Sequence, residues 1–178
     1  RQIEQRFLAR GLDVKPRDFP AGTYKFRSTG SGELPELADV VRTVRMGVPG
    51  TTMPAWTQFL SDAEIHDVAR YLIVFSSRFR DAWRAGALPP PLPMSAVPPE
   101  LPALAPSGRA LYAKMQCATC HGADGRGHGP AAAALRDEWG EPIKAADLTY
   151  LWTFKNGHRP EDVYRTIYGG LNGTPMPA

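Results

Sequence analysis

The pattern C-x-x-C-H at Cys117, Cys120 and His121 constrains this chain more than any other feature of its sequence. The chain has 178 residues and only these two cysteines, so a disulfide framework is excluded and redox, metal or cofactor chemistry remains. Two thiols at this spacing add across the vinyl groups of haem as thioethers, and the adjacent imidazole then lies under the iron as an axial ligand. A covalent haem would form a large part of any core that so small a unit can build.

Two other uses of paired cysteines fit the sequence less well. A zinc site needs four ligands, and no second pair of Cys or His residues lies at the spacing of a zinc finger. A redox-active dithiol of the thioredoxin type belongs to a βαβ context, whereas the patterns around Cys117 are those of helices and loops. The sequence therefore favours haem attachment.

An internal repeat gives the chain two units. Residues 39–55, DVVRTVRMGVPGTTMPA, align without gaps with residues 162–178, DVYRTIYGGLNGTPMPA. Between the copies, prolines recur through residues 84–106 too densely for a helix, as in a stiff polyproline spacer. We predict a first domain at 1–83, a linker at 84–106 and a second domain at 107–178. In the register of the repeat, we expect the first domain to lack its C-x-x-C-H portion here, and the second to lack its last helix.

Helical patterns dominate both units, and no alternating run is long enough for a sheet. Ser61 and Glu64 form a capping box ahead of apolar residues at helical spacing, which predicts a helix from about Asp62 to Ser76. Shorter helices are predicted over residues 37–46, 107–115 and 160–168. The predicted fold class is all-α.

The second axial ligand should come from a loop downstream of His121. Met176 lies between two prolines in such a loop, which has no helical face on which a methionine could be buried. Met176 is therefore the predicted sixth ligand. Met53 occupies the same place in the first repeat and is predicted to ligate a second haem, whose cysteines lie outside these residues.

The C-x-x-C-H motif followed by Gly122, and Met176-Pro177 after a short helix, resemble class I cytochrome c. With both repeats included, the chain is similar to a di-haem cytochrome c built from two tandem domains. The resemblance implies a helical fold around each haem c, His and Met axial ligands, and residence in the periplasm or on the outer face of the cytoplasmic membrane. Arg42 and Arg165, which are equivalent in the repeat, could pair with haem propionates or lie on exposed helix faces.

Composition removes several functional classes. The net charge of +3 arises from scattered basic residues among acidic ones, which gives little support to nucleic-acid binding. The longest apolar stretch, residues 71–75, is far shorter than the roughly 20 residues of a membrane span. We therefore expect neither a nucleic-acid partner nor a membrane segment in these residues.

If His121 and Met176 occupy both axial positions, the iron has no open site for a substrate, and outer-sphere electron transfer remains. The chain is thus predicted to be an electron-transfer protein and not an enzyme. Its expected partners are redox proteins, with a dehydrogenase or quinol-oxidising complex as donor and a terminal oxidase or reductase as acceptor. Two alternatives stay open, which are an electron-transfer subunit of a larger oxidoreductase complex and a di-haem peroxidase-like enzyme.

Overall fold

The protein is mainly helical. A computed structural model describes residues 16–98 and 101–178, and these form two compact units that meet in sequence between Pro91 and Leu92. The predicted all-α class is confirmed, because the described residues contain helices and turns but no β-strand. Their α-helices are α1 (Leu37–Met46), α2 (Asp62–Ile73), α3 (Ser77–Arg84), α4 (Ala105–Lys114), α5 (Ala118–His121) and α6 (Pro160–Gly169). Within these ranges, no helix has the length and apolar character that crossing a bilayer requires.

Serine caps set the helix boundaries in the first unit. The predicted capping box forms at the start of α2, where the Ser61 hydroxyl accepts from the Glu64 N–H and the Glu64 carboxylate accepts from the Ser61 N–H. The Ser61 hydroxyl also donates to the Glu64 carboxylate at 2.7 Å, and this bond is the main cause that lowers the pKa of Glu64, followed by the bond from the Ser61 N–H. The predicted end of α2 at Ser76 is wrong, because the helix stops at Ile73. Ser76 is extended and its hydroxyl accepts from the Phe79 N–H, so it caps the separate helix α3.

The first unit has a core made of protein side chains. Helix α1 packs against α2, and the buried apolar residues come from both helices, from α3 and from the segment before α1. The fully buried members include Ile65 and Phe79, and the Tyr24 ring meets the Phe79 ring edge to face at 5.2 Å. Met53 is half-buried and packs against this core.

The segment between the units is only partly irregular. Residues 87–98 have no regular secondary structure, and the boundary between the units lies inside the segment 84–106 predicted as a linker. A 3-10 turn covers Leu101–Leu104, and α4 begins at Ala105, two residues before the predicted start at Ser107. Pro106 lies in the first turn of α4, where its missing N–H breaks no hydrogen bond.

The second unit has no comparable protein core. Its buried residues are five glycines and Asp162, and no hydrophobic side chain of its described residues is buried. Leu111, Met115 and Ile167 lie on its helices or their ends and are 55%, 67% and 59% exposed. A unit of this size cannot be stable on protein contacts of this kind alone, so it needs another source of buried apolar surface.

Candidate haem site

The two cysteines and His121 lie on a single helical turn. Helix α4 ends at Lys114, and Gln116 just beyond it adopts a left-handed conformation (φ 57°), which lets the Cys117 N–H bond back to the Tyr112 carbonyl at 3.1 Å. The chain then enters α5 at once, and the Cys117 carbonyl accepts from the N–H groups of Cys120 and His121. Residues three apart on a helix share a face, so the two thiols, both free and half-buried, lie on the same side.

A backbone carbonyl fixes the tautomer of the neutral His121 ring. Nδ1 of His121 lies 3.0 Å from the carbonyl oxygen of Ala146. Because a carbonyl oxygen can only accept, Nδ1 carries the proton in this contact. Nε2 therefore keeps its lone pair for a metal, and the ring is held in one orientation.

A glycine-rich loop, residues 122–131, folds back over this turn. The N–H groups of Gly127, Gly129 and Ala131 donate to the carbonyls of His121, Cys120 and Thr119, so the end of α5 has no orphaned carbonyls at these positions. At Gly129 a Cβ atom would lie 2.3 Å from the Ala118 carbonyl oxygen, which is a clash. Only glycine therefore fits at this position.

Helix α4 is joined to the same loop through Tyr112. The Tyr112 hydroxyl donates to the Gly122 carbonyl at 2.6 Å, and partial burial is the main cause that raises the pKa of this phenol. The phenol consequently remains a proton donor at neutral pH. This bond ties α4 to the segment that follows the haem-binding motif.

Met176 lies in a closed loop after α6, here called the ligand loop and defined as residues 171–176. The Leu171 N–H donates to the Met176 carbonyl at 3.1 Å, and the Met176 N–H donates to the Thr174 hydroxyl at 3.2 Å. Gly170 has a φ of 65°, and a Cβ there would lie 2.8 Å from the Ala178 nitrogen. The loop is thus a compact structure in which the position of Met176 is defined by the backbone.

The loop that contains Met53 has the same hydrogen bonds. The Val48 N–H donates to the Met53 carbonyl at 3.0 Å, and the Met53 N–H donates to the Thr51 hydroxyl at 3.2 Å. Gly47 has a φ of 66° and no room for a Cβ, as at Gly170. The two repeats therefore present methionine on equivalent backbone structures, each within its own unit.

A pair of charged residues also repeats on α1 and α6. Asp39 and Asp162 are buried, and each lies beside the arginine one turn later, Arg42 at 3.9 Å and Arg165 at 2.9 Å. The Nε atom of Arg165 is buried and has no acceptor. The carboxylate of a haem propionate is a group that would satisfy such a donor.

The residues of the second unit fit a haem. The motif offers two thiols on one face and an imidazole with a free Nε2, while the unit buries no apolar side chain of its own and contains an orphaned arginine donor. These residues fit zinc less well, since no three or more His, Cys, Asp or Glu side chains lie close enough together to hold a metal ion in residues 16–98 and 101–178. Of the other histidines, His128 is 68% exposed beside Asp124, and His66 is bonded through Nδ1 to the Asp62 carbonyl.

Two parts of the site were not predicted from the sequence. The Ala146 carbonyl that orients His121 is a backbone group, and residue identity does not reveal it. The contact between residues 135–143 and the ligand loop, described below, was also missed. A turn signal, Gly140 followed by Pro142, was present there, but it did not indicate a tertiary contact.

Replacing Gly129 by Ala should destabilise the second unit by about 3 kcal/mol, because the new methyl group meets backbone oxygens that cannot move freely. Gly140 is the matched control, since it has a φ of 78° and open space around a Cβ. Gly140→Ala should therefore cost only about 1–2 kcal/mol, the penalty for the left-handed conformation. Denaturant unfolding of the two purified variants tests this, and equal stabilities would contradict the close approach at Gly129.

Comparison with known proteins agrees with this site. Residues 105–178 match the cytochrome c family, and the comparison with curated proteins gave no match. Among solved structures, the chain is similar to a chain of the reducing HAO-like protein complex of Kuenenia stuttgartiensis, with 39% sequence identity and a TM-score of 0.84. The similarity covers 96% of this chain and 76% of that one. The protein therefore belongs to the c-type cytochromes, with a cytochrome c domain at residues 105–178 that implies covalent haem c at Cys117 and Cys120.

Proposed function

We propose that this chain is an electron-transfer subunit of a larger oxidoreductase complex and that it carries electrons through a haem ligated by His121 and Met176. The observation that carries the proposal is the bond from His121 Nδ1 to the Ala146 carbonyl, since it leaves Nε2 ready to bind iron on the C-x-x-C-H turn. When bound, the haem would supply a one-electron redox couple. Electron transfer itself follows from membership of the cytochrome c family.

The protein's own groups have distinct roles in this proposal. Cys117 and Cys120 would hold the haem as thioethers, and His121 and Met176 would be its two protein ligands to iron. The Met176 thioether would raise the reduction potential relative to a second nitrogen ligand. With both ligands bound, no position on the iron would be open to small substrates. This arrangement disfavours the peroxidase-like alternative, which needs a displaceable ligand.

A second haem in the first unit, ligated by Met53, is part of the proposal. Support comes from the ligand loop, because the loops around Met53 and Met176 share the same hydrogen bonds and the same left-handed glycine. The first unit differs in having a protein core against which Met53 packs. The competing interpretation is that this unit is a degenerate copy in which methionine serves packing only.

We propose a subunit of a complex and not a free carrier because of the comparison with solved structures. The similar chain of known structure belongs to a protein complex, and the likeness extends over nearly the whole of this chain. Redox proteins remain the proposed partners, with an electron donor of the dehydrogenase or quinol-oxidising class, or an acceptor of the oxidase or reductase class. We place the protein in the periplasm or on the outer face of the cytoplasmic membrane, as its resemblance to class I cytochromes suggests.

Replacing Met176 by Ala should abolish the sulfur-to-iron charge-transfer band of one ferric haem and lower its reduction potential, because sulfur ligation stabilises the ferrous state. Met94 is the control, since it is 40% exposed and lies in the irregular segment 87–98 that precedes the motif. Optical spectra and redox titration of Met176→Ala and Met94→Ala provide the measurement. A Met176→Ala spectrum identical to that of the wild type would identify another ligand.

The number of haems is decided by iron and haem analysis of the full-length protein. Two haems per polypeptide are expected, and Met53→Ala should change the spectrum of one of them, while the exposed Met46→Ala control should change neither. One haem per polypeptide would mean that the first unit is a structural copy without a cofactor.

A further inference from the structure

A small hairpin-like turn in the second unit contacts the ligand loop. We call it the clasp and define it as residues 135–143. Its two ends are joined by the Arg136–Pro142 bridge and by the Ile143 N–H, which donates to the Leu135 carbonyl at 3.2 Å. Between them, five residues make a turn that lies outside the motifs which identified the haem site.

The Asp137 side chain holds the clasp in shape. Its Oδ1 atom accepts from the N–H groups of Trp139 and Glu141, both at 3.0 Å, and its backbone N–H donates to the Glu141 carbonyl at 2.9 Å. Gly140 closes the turn with a φ of 78° and donates its N–H to the Asp137 carbonyl. An aspartate that binds backbone groups ahead of it is a common way to stabilise an irregular turn.

The next residue, Glu138, reaches the ligand loop. Its N–H donates to the Gly173 carbonyl at 3.1 Å, and its carboxylate lies so close that a Cβ on Gly173 would be 2.6 Å from Oε1. Gly173 precedes Thr174, whose hydroxyl accepts from the Met176 N–H. The clasp is thus linked to the predicted iron ligand Met176 through two successive residues, Gly173 and Thr174.

The equivalent glycine in the first unit provides a contrast. Gly50 corresponds to Gly173 in the repeat and has nearly the same backbone conformation, with φ values of 71° and 74°. A Cβ on Gly50 would have no neighbour within 4 Å, whereas Gly173 is covered by Glu138. The loop therefore adopts its conformation from its own sequence, and the contact from Glu138 is an addition made in the second unit.

We propose that the clasp positions the ligand loop so that Met176 stays on the iron, with Glu138 as the positioning residue and Asp137 as its support. This inference rests on the proposed ligation by Met176. Because the Gly173 carbonyl is held by a donor from outside the ligand loop, this contact limits the opening of the loop. Release of the clasp should make Met176 easier to displace without removing the haem.

Competition with imidazole for the ferric iron tests the clasp in the full-length holoprotein. Glu138→Pro removes the N–H donor, and Asp137→Ala loosens the clasp while leaving that donor in place. Each variant should bind imidazole roughly three- to tenfold more tightly than the wild type, the factor expected for one lost hydrogen bond. The charge-transfer band should also disappear at a lower pH, since hydroxide or another high-pH ligand then displaces Met176 more readily.

Two further variants serve as controls. Glu138→Ala keeps the N–H and should show a smaller change than Glu138→Pro, whereas Glu161→Ala removes an exposed carboxylate of α6 and should behave as the wild type. Should Glu138→Pro fail to fold, Asp137→Ala decides. A wild-type spectrum without the charge-transfer band would overturn Met176 ligation and the clasp with it. A wild-type band accompanied by equal imidazole affinities in all variants would overturn the clasp alone.

Discussion

Attachment of a haem to the Cys117–His121 turn is the interaction on which the second unit depends. Protein contacts bury no hydrophobic side chain among its described residues, and the backbone around the turn is arranged by glycines and by hydrogen bonds to carbonyls. Such an arrangement fixes the backbone but buries no apolar side chains. The apolar surface that stabilises a small domain must then come from the cofactor, which explains why the same few residues determine both the fold and the redox function.

The two repeats show how one local structure can serve in different surroundings. Each has an aspartate buried at the start of a helix, a left-handed glycine at its end and a methionine held by the same backbone bonds. Around this shared part, the first unit packs α1, α2 and α3 into a side-chain core, while the second adds the clasp. The methionine loop is thus the same in the two units while its surroundings differ, which agrees with a function carried by the loop.

The sequence predicted those features that depend on local pattern. Helix α1 was predicted with its observed bounds, and the capping box at Ser61 was confirmed, because periodicity and caps act over a few residues. The predicted end of α2 was wrong because Ser76 caps a new helix. Apolar spacing alone does not show whether one helix continues past such a residue or a second helix begins there. The Ala146 and Glu138 contacts were not predicted, since each depends on a backbone group far away in the sequence and leaves no mark in residue type.

The central claim is that Cys117 and Cys120 hold haem through thioether bonds, and one measurement tests it most directly. The full-length protein is extracted with acidified acetone, and the pyridine haemochrome spectrum of the residue is compared with that of a Cys117→Ala/Cys120→Ala variant. The account predicts that the haem bound at this turn stays with the wild-type polypeptide and shows the spectrum of a twice thioether-linked haem c, a contribution that the variant loses. Wild-type haem that leaves with the solvent, or a variant that retains all of it, would contradict the account.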